Sequence, residues 1–261
     1  MHPKFLEVRS KVLKYSDIED RVKALHNTFE NERCYVATVG PSINEYSHDY
    51  LREKLEKELI ITVKQAYDIF TDLCDFQVLS FANFNPYKYV SDKTFVVWEV
   101  FEQYHPQQII QNGFKVDLML PTIGNHEPDI KKRQENSQAG LKTFDDYMLS
   151  KTLNRMYGPT IMYETVFHLA MHLGVKEIIT LGWDIVNMDI FKNKDPYEDV
   201  HNDHFYGNTD HAIKIPANYT EMKIVVESTE FLYNWMKEKG VDLKIVSTQS
   251  AVHESVPRIT L

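Results

Sequence analysis

Cysteine is nearly absent from the chain: two residues, Cys34 and Cys74, stand among 261. They form no Cys-x-x-Cys pair, so a zinc knuckle is unsupported, and both read as reduced thiols of an intracellular protein. No stretch reaches the roughly 18 apolar residues of a membrane span. Met1 to Lys14 scatters its charges around no apolar centre, unlike a secretory signal. Basic charge is in deficit, with 29 Lys and Arg against 38 Asp and Glu and a formal net charge of −9. That argues against nucleic acid, whose non-specific affinity comes from a basic patch. It leaves room for a compact anion held by local backbone N–H groups. Only 9 glycines and 10 prolines occur, too few for a fibre or a disordered tract. Several catalytic signatures are also missing. Without Gly-x-x-x-x-Gly-Lys-Ser/Thr there is no P-loop, and without Gly-x-Gly-x-x-Gly nicotinamide binding is weakened. Without Gly-x-Ser-x-Gly serine hydrolase chemistry has no nucleophile elbow. His168 and His172 lie four apart, but Leu169 follows His168, so the His-Glu-x-x-His zinc pattern is not met.

The chain is instead rich in rings, with 15 Tyr, 14 Phe and 3 Trp, and 43% of it is hydrophobic, as in ordinary globular domains. Most rings read as core; a minority suit a ligand cleft, where they offer rigid contact area. Residues 1–33 are charged and helical in pattern, a lead-in with a capping-box spacing from Ser16 to Glu19 and with Val22, Leu25 and Phe29 at helical intervals. From 34 to 261 the pattern is that of one nucleotide-binding α/β domain. Seven apolar runs, at 34–39, 59–63, 76–81, 94–101, 116–120, 178–181 and 241–246, read as short strands. Helical stretches at 46–59, 160–173 and 221–239 separate them, the last two stopped by Gly174 and Gly240. The expected fold is a mostly parallel, Rossmann-like α/β sheet with helices on both faces and a lid-like insertion. The lid is the polar, aperiodic stretch 121–146, a length of loop that is usually functional. A second polar stretch, 187–212, holds five Asp, three His and two Tyr and is the candidate active-site loop.

Ligands in such folds bind beyond the C-terminal ends of the strands, so the residues there are the candidate site: Gly40-Pro41-Ser42, Lys64 and Gln65, Asn83, Gly182 with Asp184, and Ser247, Gln249 and Ser250. Glycine permits close backbone approach, proline opens a helix, and N–H groups at a helix start favour an anion. A tight turn with no ligand explains the same triplet. Asp184 suits ribose hydroxyls, a base or a metal, or simply a helix cap. In the polar loop, His204 and His211 are candidate bases that titrate near neutrality, and Tyr206 can steady a leaving phosphate. A solvated loop would look alike. Asp184, Asp203 and Asp210 could hold a hard cation through oxygen ligands.

The run Val36-Ala37-Thr38-Val39-Gly40-Pro41-Ser42-Ile43 resembles the N-terminal signature of bacterial sialyltransferases of the Campylobacter type, a signature shared with 6-hydroxymethyl-dihydropterin pyrophosphokinase-like proteins. Gly174 to Asp184 resembles the second shared signature, a helix end, a strand and a Gly-x-Asp. The resemblance spans 34–85 and 158–252. It implies a nucleotide-sugar-dependent glycosyltransferase moving a sugar, such as CMP-linked sialic acid, to a hydroxyl acceptor on a glycan or glycolipid, with no cofactor required. Gly40, Pro41 and Ser42 would then meet the donor phosphate and ribose, Gln65 the donor, and Ser250 the cytidine. Asn208 stands where that family carries a histidine, which passes the role of base to His204 or His211. The alternatives are a Mg-dependent pterin pyrophosphokinase-like enzyme, in which cations neutralise developing charge, and a non-catalytic nucleotide-binding protein. The expected location is cytoplasmic, with no nucleic-acid partner and no transmembrane segment; a homo-oligomer and peripheral contact with the inner face of a membrane stay open.

Overall fold

Short runs of β-branched and aromatic residues alternate with charged, leucine-bearing segments, and the chain folds accordingly. The computed structural model describes residues 1–80, 90–101, 106–111, 113–123, 144–156, 162–185 and 219–261. In chain order they form α1 (Phe5–Val12), α2 (Ile18–Leu25), β1 (Arg33–Ala37), α3 (His48–Lys54), β2 (Leu59–Val63), α4 (Tyr67–Phe70), β3 (Phe76–Ser80), β4 (Phe95–Phe101), α5 (Pro106–Gln111), β5 (Leu118–Ile123), β6 (Arg155–Met156), α6 (Phe167–His172), β7 (Glu177–Leu181), α7 (Tyr219–Glu238) and β8 (Asp242–Val246). The strands make one sheet in the order β6-β5-β4-β3-β2-β1-β7-β8, every pair parallel. The expected doubly wound, Rossmann-like class is therefore what the chain adopts.

The period-2 alternation of the longer strands feeds two separate cores. On one face Cys34, Val36, Ile61, Val78, Val97 and Leu120 pack under α1, α2, α6 and α7, through Phe5, Val22, Phe167 and Leu232. On the other, Tyr35, Ala37, Ile60, Leu79, Val96 and Trp98 pack under α3, α4 and α5, through Leu51, Phe70 and Ile109. The two cysteines are free and buried, and burial pushes both thiols up, which makes them poor nucleophiles.

Several sequence expectations shift. Eight strands occur among the described residues: the seven apolar runs each hold one, and the eighth, β6, is two residues long, too short to show alternation. Asp17, not Ser16, caps α2: its Oδ1 accepts from the N–H groups of Glu19 (2.8 Å) and Asp20 (3.2 Å). A carboxylate one residue nearer the helix displaces the serine. The helix expected over 46–59 is shorter, because Ser47 caps it and it ends at Lys54. The stretch 160–173 begins as a π-helical turn, Met162–Val166, before α6. The two ends of the stretch 121–146 are regular: β5 runs on to Ile123, and Phe144–Tyr147 forms a 3-10 turn. Residues 124–143, and the whole of 187–212, lie outside the described residues.

The N-terminal edge of the sheet is stapled by buried aspartates. Asp75 Oδ2 accepts from Ile60 N–H (2.9 Å) and Oδ1 from His2 N–H (3.0 Å); Asp117 Oδ2 accepts from Val96 N–H (2.8 Å). Burial raises Asp75 to about 7, against the pull of those N–H donors. The native state thus holds this proton more tightly than the unfolded chain, where aspartate titrates near ~3.9. The stability that Asp75 contributes is full below about pH 4 and declines as pH rises toward 7. Asp75→Asn cannot titrate and turns an amide N–H₂ toward a backbone N–H. Wild type is expected to exceed this variant in Tm by more near pH 5 than near pH 8, a comparison that thermal melts at the two pH values make directly.

Candidate functional site

From β1 the chain builds outward to β6, then returns to the other side of β1 for β7 and β8. The reversal lies between β1 and β7, and in open α/β sheets that is where the ligand crevice opens, beyond the strands' C-terminal ends. Three sequence-distant segments leave those ends side by side: Thr38 to Glu45 after β1, Gly182 to Ile185 after β7, and Ser247 to Ser250 after β8.

Backbone pairing continues past the strands. Thr38 N–H donates to Leu181 O (2.8 Å) and Gly40 N–H to Gly182 O (2.9 Å), while the Thr38 hydroxyl donates to Gly182 O. This closeness explains both glycines. A Cβ on Gly40 would sit 2.2 Å from Gly182 O and 2.6 Å from Asp184 Oδ2. Gly182 has φ +70°, and its Cβ would meet Thr38 O at 2.8 Å. Ile185, just beyond, also holds a left-handed φ of 58°, a costly conformation for a β-branched residue and one that tends to occur where a turn is over-determined by its surroundings.

Asp184 is the knot. It is 6% exposed, and its carboxylate accepts from Ser42 N–H at Oδ2 (2.7 Å) and from Ser247 Oγ at Oδ1 (3.1 Å). Burial raises its pKa; the Ser42 and Ser247 contacts oppose this, and the nearby Glu45 carboxylate adds to the rise. The Ser42 hydroxyl lies beside the same carboxylate but outside hydrogen-bond geometry, and its Oγ is buried without a partner. Ser247 Oγ also accepts from Gln249 N–H (3.2 Å) and Ser250 N–H (3.0 Å). Ser250 Oγ donates to Trp183 O (2.8 Å), and Ala251 N–H to Asp184 O (3.2 Å). Glu45 Oε1, on the rim, accepts from the Thr248 N–H (3.2 Å) and hydroxyl (3.1 Å).

Gly40, Ser42, Gly182, Asp184, Ser247 and Ser250 thus meet in one place, with Pro41 and Gln249 exposed at its rim. Lys64 and Gln65 form a 3-10 turn after β2, the strand next to β1; Lys64 has φ 53°, and its carbonyl accepts from Gln77 Nε2 (2.9 Å). Asn83, His204, Tyr206, His211, Asp203 and Asp210 lie outside the described residues. The backbone donors expected to face a phosphate are already used: Gly40 N–H by Gly182 O, Ser42 N–H by Asp184, and Ile43 N–H by Gly40 O (3.3 Å). The element they open is a five-residue 3-10 turn, Pro41–Glu45, not an α-helix with a macrodipole. Any ligand at this edge would therefore meet the exposed Pro41, Asn44, Thr248 and Gln249 rather than these N–H groups.

The sequence reading also passed over Glu99, a carboxylate 5% exposed on β4. Its signal was a charge inside the apolar run Phe95-Val96-Val97-Trp98-Glu99-Val100-Phe101, since Glu is almost never buried without a partner. His168 and His172 are core residues: His172 Nε2 lies 2.7 Å from Val22 O, and His168 packs edge-on to Trp235.

The strand order defines a doubly wound α/β protein, with the β1/β7 switch point as its candidate ligand site. Among solved structures, the chain is similar to a MAf glycosyltransferase from Magnetospirillum magneticum AMB-1, with a TM-score of 0.53 and 14% identity. The match covers 99% of this chain and 38% of that one, so the chain spans well under half of that protein's length. Identity this low speaks for the fold alone. No protein-family model matches the chain, and no curated protein does. Among the described residues, no helix is long and apolar enough to cross a membrane.

Proposed function

We propose that the protein is a glycosyltransferase that moves a sugar from a nucleotide donor to a hydroxyl acceptor. The observation that carries this reading is the meeting of Gly40-Pro41-Ser42, Gly182-Trp183-Asp184 and Ser247 to Ser250 at the switch point, in a fold that a known glycosyltransferase shares. The resemblance of the first two segments to sialyltransferase signatures favours a CMP-linked acidic sugar as donor and a glycan or glycolipid as acceptor. In this reading the nucleotide lies across Pro41, Thr248 and Gln249. Asp184 positions the Pro41–Glu45 turn against the Ser247–Ser250 loop and moves no proton. His204 or His211 takes the acceptor proton, and Tyr206 steadies the departing phosphate.

The test is a thermal-shift panel of CMP, CDP, UDP, GDP and ATP, with and without Mg²⁺, since a ligand that binds the native state raises Tm. CMP is expected to raise Tm without metal. A shift with ATP alone, appearing only with Mg²⁺, would move the protein to the phosphoryl-transfer class; no shift with any nucleotide would leave the proposal without support. His204→Ala is expected to cut turnover by about 10²-fold or more, the usual worth of a general base, while the CMP shift persists. Unchanged turnover removes His204 as the base.

A further inference from the structure

We propose that the segment Arg258–Leu261 is a positioning strap, which holds the Ser247–Ser250 loop and the Pro41–Glu45 turn at a fixed spacing; its effect on a ligand rests on the function proposed above. The segment runs along the outer edge of β8. Ile245 N–H donates to Pro257 O and Ile259 N–H to Ile245 O, both at 3.0 Å, around a parallel bridge from Ile245 to Arg258. Arg258 is exposed, but its guanidinium folds back on the end of the site loop. Nη2 donates to Ser250 O (3.1 Å) and Val252 O (2.7 Å), and Nη1 to Val256 O (3.4 Å). Between those first two carbonyls, Ala251 N–H donates to Asp184 O (3.2 Å), so the same stretch is tied to Asp184 and to Arg258. Three residues further on, Leu261 reaches the other wall of the site. Its N–H donates to the Tyr46 hydroxyl (3.2 Å), and its carbonyl accepts from the Tyr50 hydroxyl (3.2 Å). Tyr46 directly follows the Pro41–Glu45 turn, and its ring stacks on Tyr50 of α3, with centroids 5.6 Å apart.

Covering a sheet edge explains part of this arrangement and not the rest. An edge strand needs its N–H and C=O groups matched, and Pro257 and Ile259 do that for Ile245. The apolar face needs side chains, and Ile259 and Leu261 pack against the second core. Neither task calls for a guanidinium or for two tyrosyl hydroxyls. Methionine would cover the same surface, and a pair of phenylalanines would stack equally well. The polar contacts go instead to the two segments that wall the candidate site. Those segments also meet on the exposed rim, through Glu45 and Thr248, and a rim contact of this kind opens readily. The strap adds a second link, in which the charged donor makes the strongest bonds. Walls already held at the bound spacing lose less freedom when a ligand arrives. Arg258, Tyr46 and Tyr50 are thus positioning residues, acting through the loop and the turn rather than on the ligand.

The experiment uses the full chain and two readouts, both taken well below the melting transition: amide hydrogen exchange without ligand, and CMP affinity by calorimetry. Arg258→Met is expected to speed exchange across 247–252 by about fivefold or more, the worth of one hydrogen bond, and to leave β1 unchanged. CMP affinity is expected to fall by a similar factor. Tyr46→Phe should weaken CMP binding in the same direction, and Arg258→Lys, which keeps the charge but not the fork, should recover only part of the loss. Val12→Ala is the control for stability alone. It opens a cavity under α1 in the first core and is expected to lower Tm while changing neither readout. The strap is overturned if exchange across 247–252 in Arg258→Met matches wild type, or if CMP affinity falls no further than in Val12→Ala; the segment is then an edge cover and nothing more. Should Arg258→Met fail to fold, Arg258→Lys and Tyr46→Phe carry the same comparison. If wild type binds no CMP, the glycosyltransferase reading fails on its own account, and hydrogen exchange still decides the strap.

Discussion

Gly40→Ala is expected to cost about 3 kcal/mol or more of folding stability, the upper range for overpacking. Its φ of −69° suits any residue, so the cost is not conformational. It comes from the Cβ, which would lie 2.2 Å from Gly182 O and 2.9 Å from Asp184 Cγ. Neither neighbour can yield easily. Gly182 O already accepts from Gly40 N–H and the Thr38 hydroxyl, and Asp184 is held by Ser42 and Ser247. β1 and β7 would have to separate at the switch point, breaking a ladder in register from Arg33↔Glu177 to Ala37↔Leu181. Gly240→Ala is the control. It has φ +76°, but nothing lies within 4 Å of its Cβ, so only the left-handed backbone is penalised, by about 1 kcal/mol. Urea denaturation of the three proteins, compared at equal m-value, reads the difference. A Gly40→Ala variant as stable as Gly240→Ala would mean that the two strand ends are not in contact.

That collision also explains what could and could not be read from the residues. Gly40-Pro41-Ser42 and Gly182-Trp183-Asp184 were legible because each breaks an apolar run of β-branched residues, and a parallel sheet sends all such breaks to one edge. The alternation that builds two cores was legible for the same reason, strand by strand. The use of the backbone donors was not. A sequence displays that Ser42 carries an N–H; it does not display that Asp184, 142 residues later, accepts it. Glycine at position 40 therefore read as room for a ligand, while the described structure fills that room with the Gly182 carbonyl and a carboxylate. Glu99 was hidden differently: averaged with its neighbours it vanished into an apolar run, although one charge in a central strand says more than the six residues around it. β6, with two residues, carries no period at all.

Asp184 separates a positioning residue from a reacting one. Asp184→Ala strips the acceptor from Ser42 N–H and from Ser247 Oγ at once. Leaving a buried donor unmatched costs about 1–3 kcal/mol, and with the Ser247 contact also lost a total of about 3 kcal/mol is expected, together with loss of CMP-induced stabilisation as the Pro41–Glu45 turn comes away from the Ser247–Ser250 loop. Asp184→Asn differs in kind. Its amide oxygen can still accept from Ser42 N–H and no charge need be buried, but its nitrogen faces a Ser247 Oγ that already accepts from Gln249 and Ser250 N–H, so the Ser247 contact alone is lost. The sign of the pH effect follows from the raised pKa of Asp184. The native state binds this proton more tightly than the unfolded chain, so the stability contributed by wild-type Asp184 is fullest below the unfolded value and is lost as pH rises through the folded one. Asparagine does not titrate, and its standing relative to wild type should improve as pH rises. Asp184→Asn is therefore expected to keep the CMP shift and to release CMP from CMP-sialic acid within about tenfold of the wild-type rate. A loss of about 10²-fold or more with the CMP shift intact would be the signature of a group acting in the transition state alone, and would return Asp184 from the frame of the site to its chemistry.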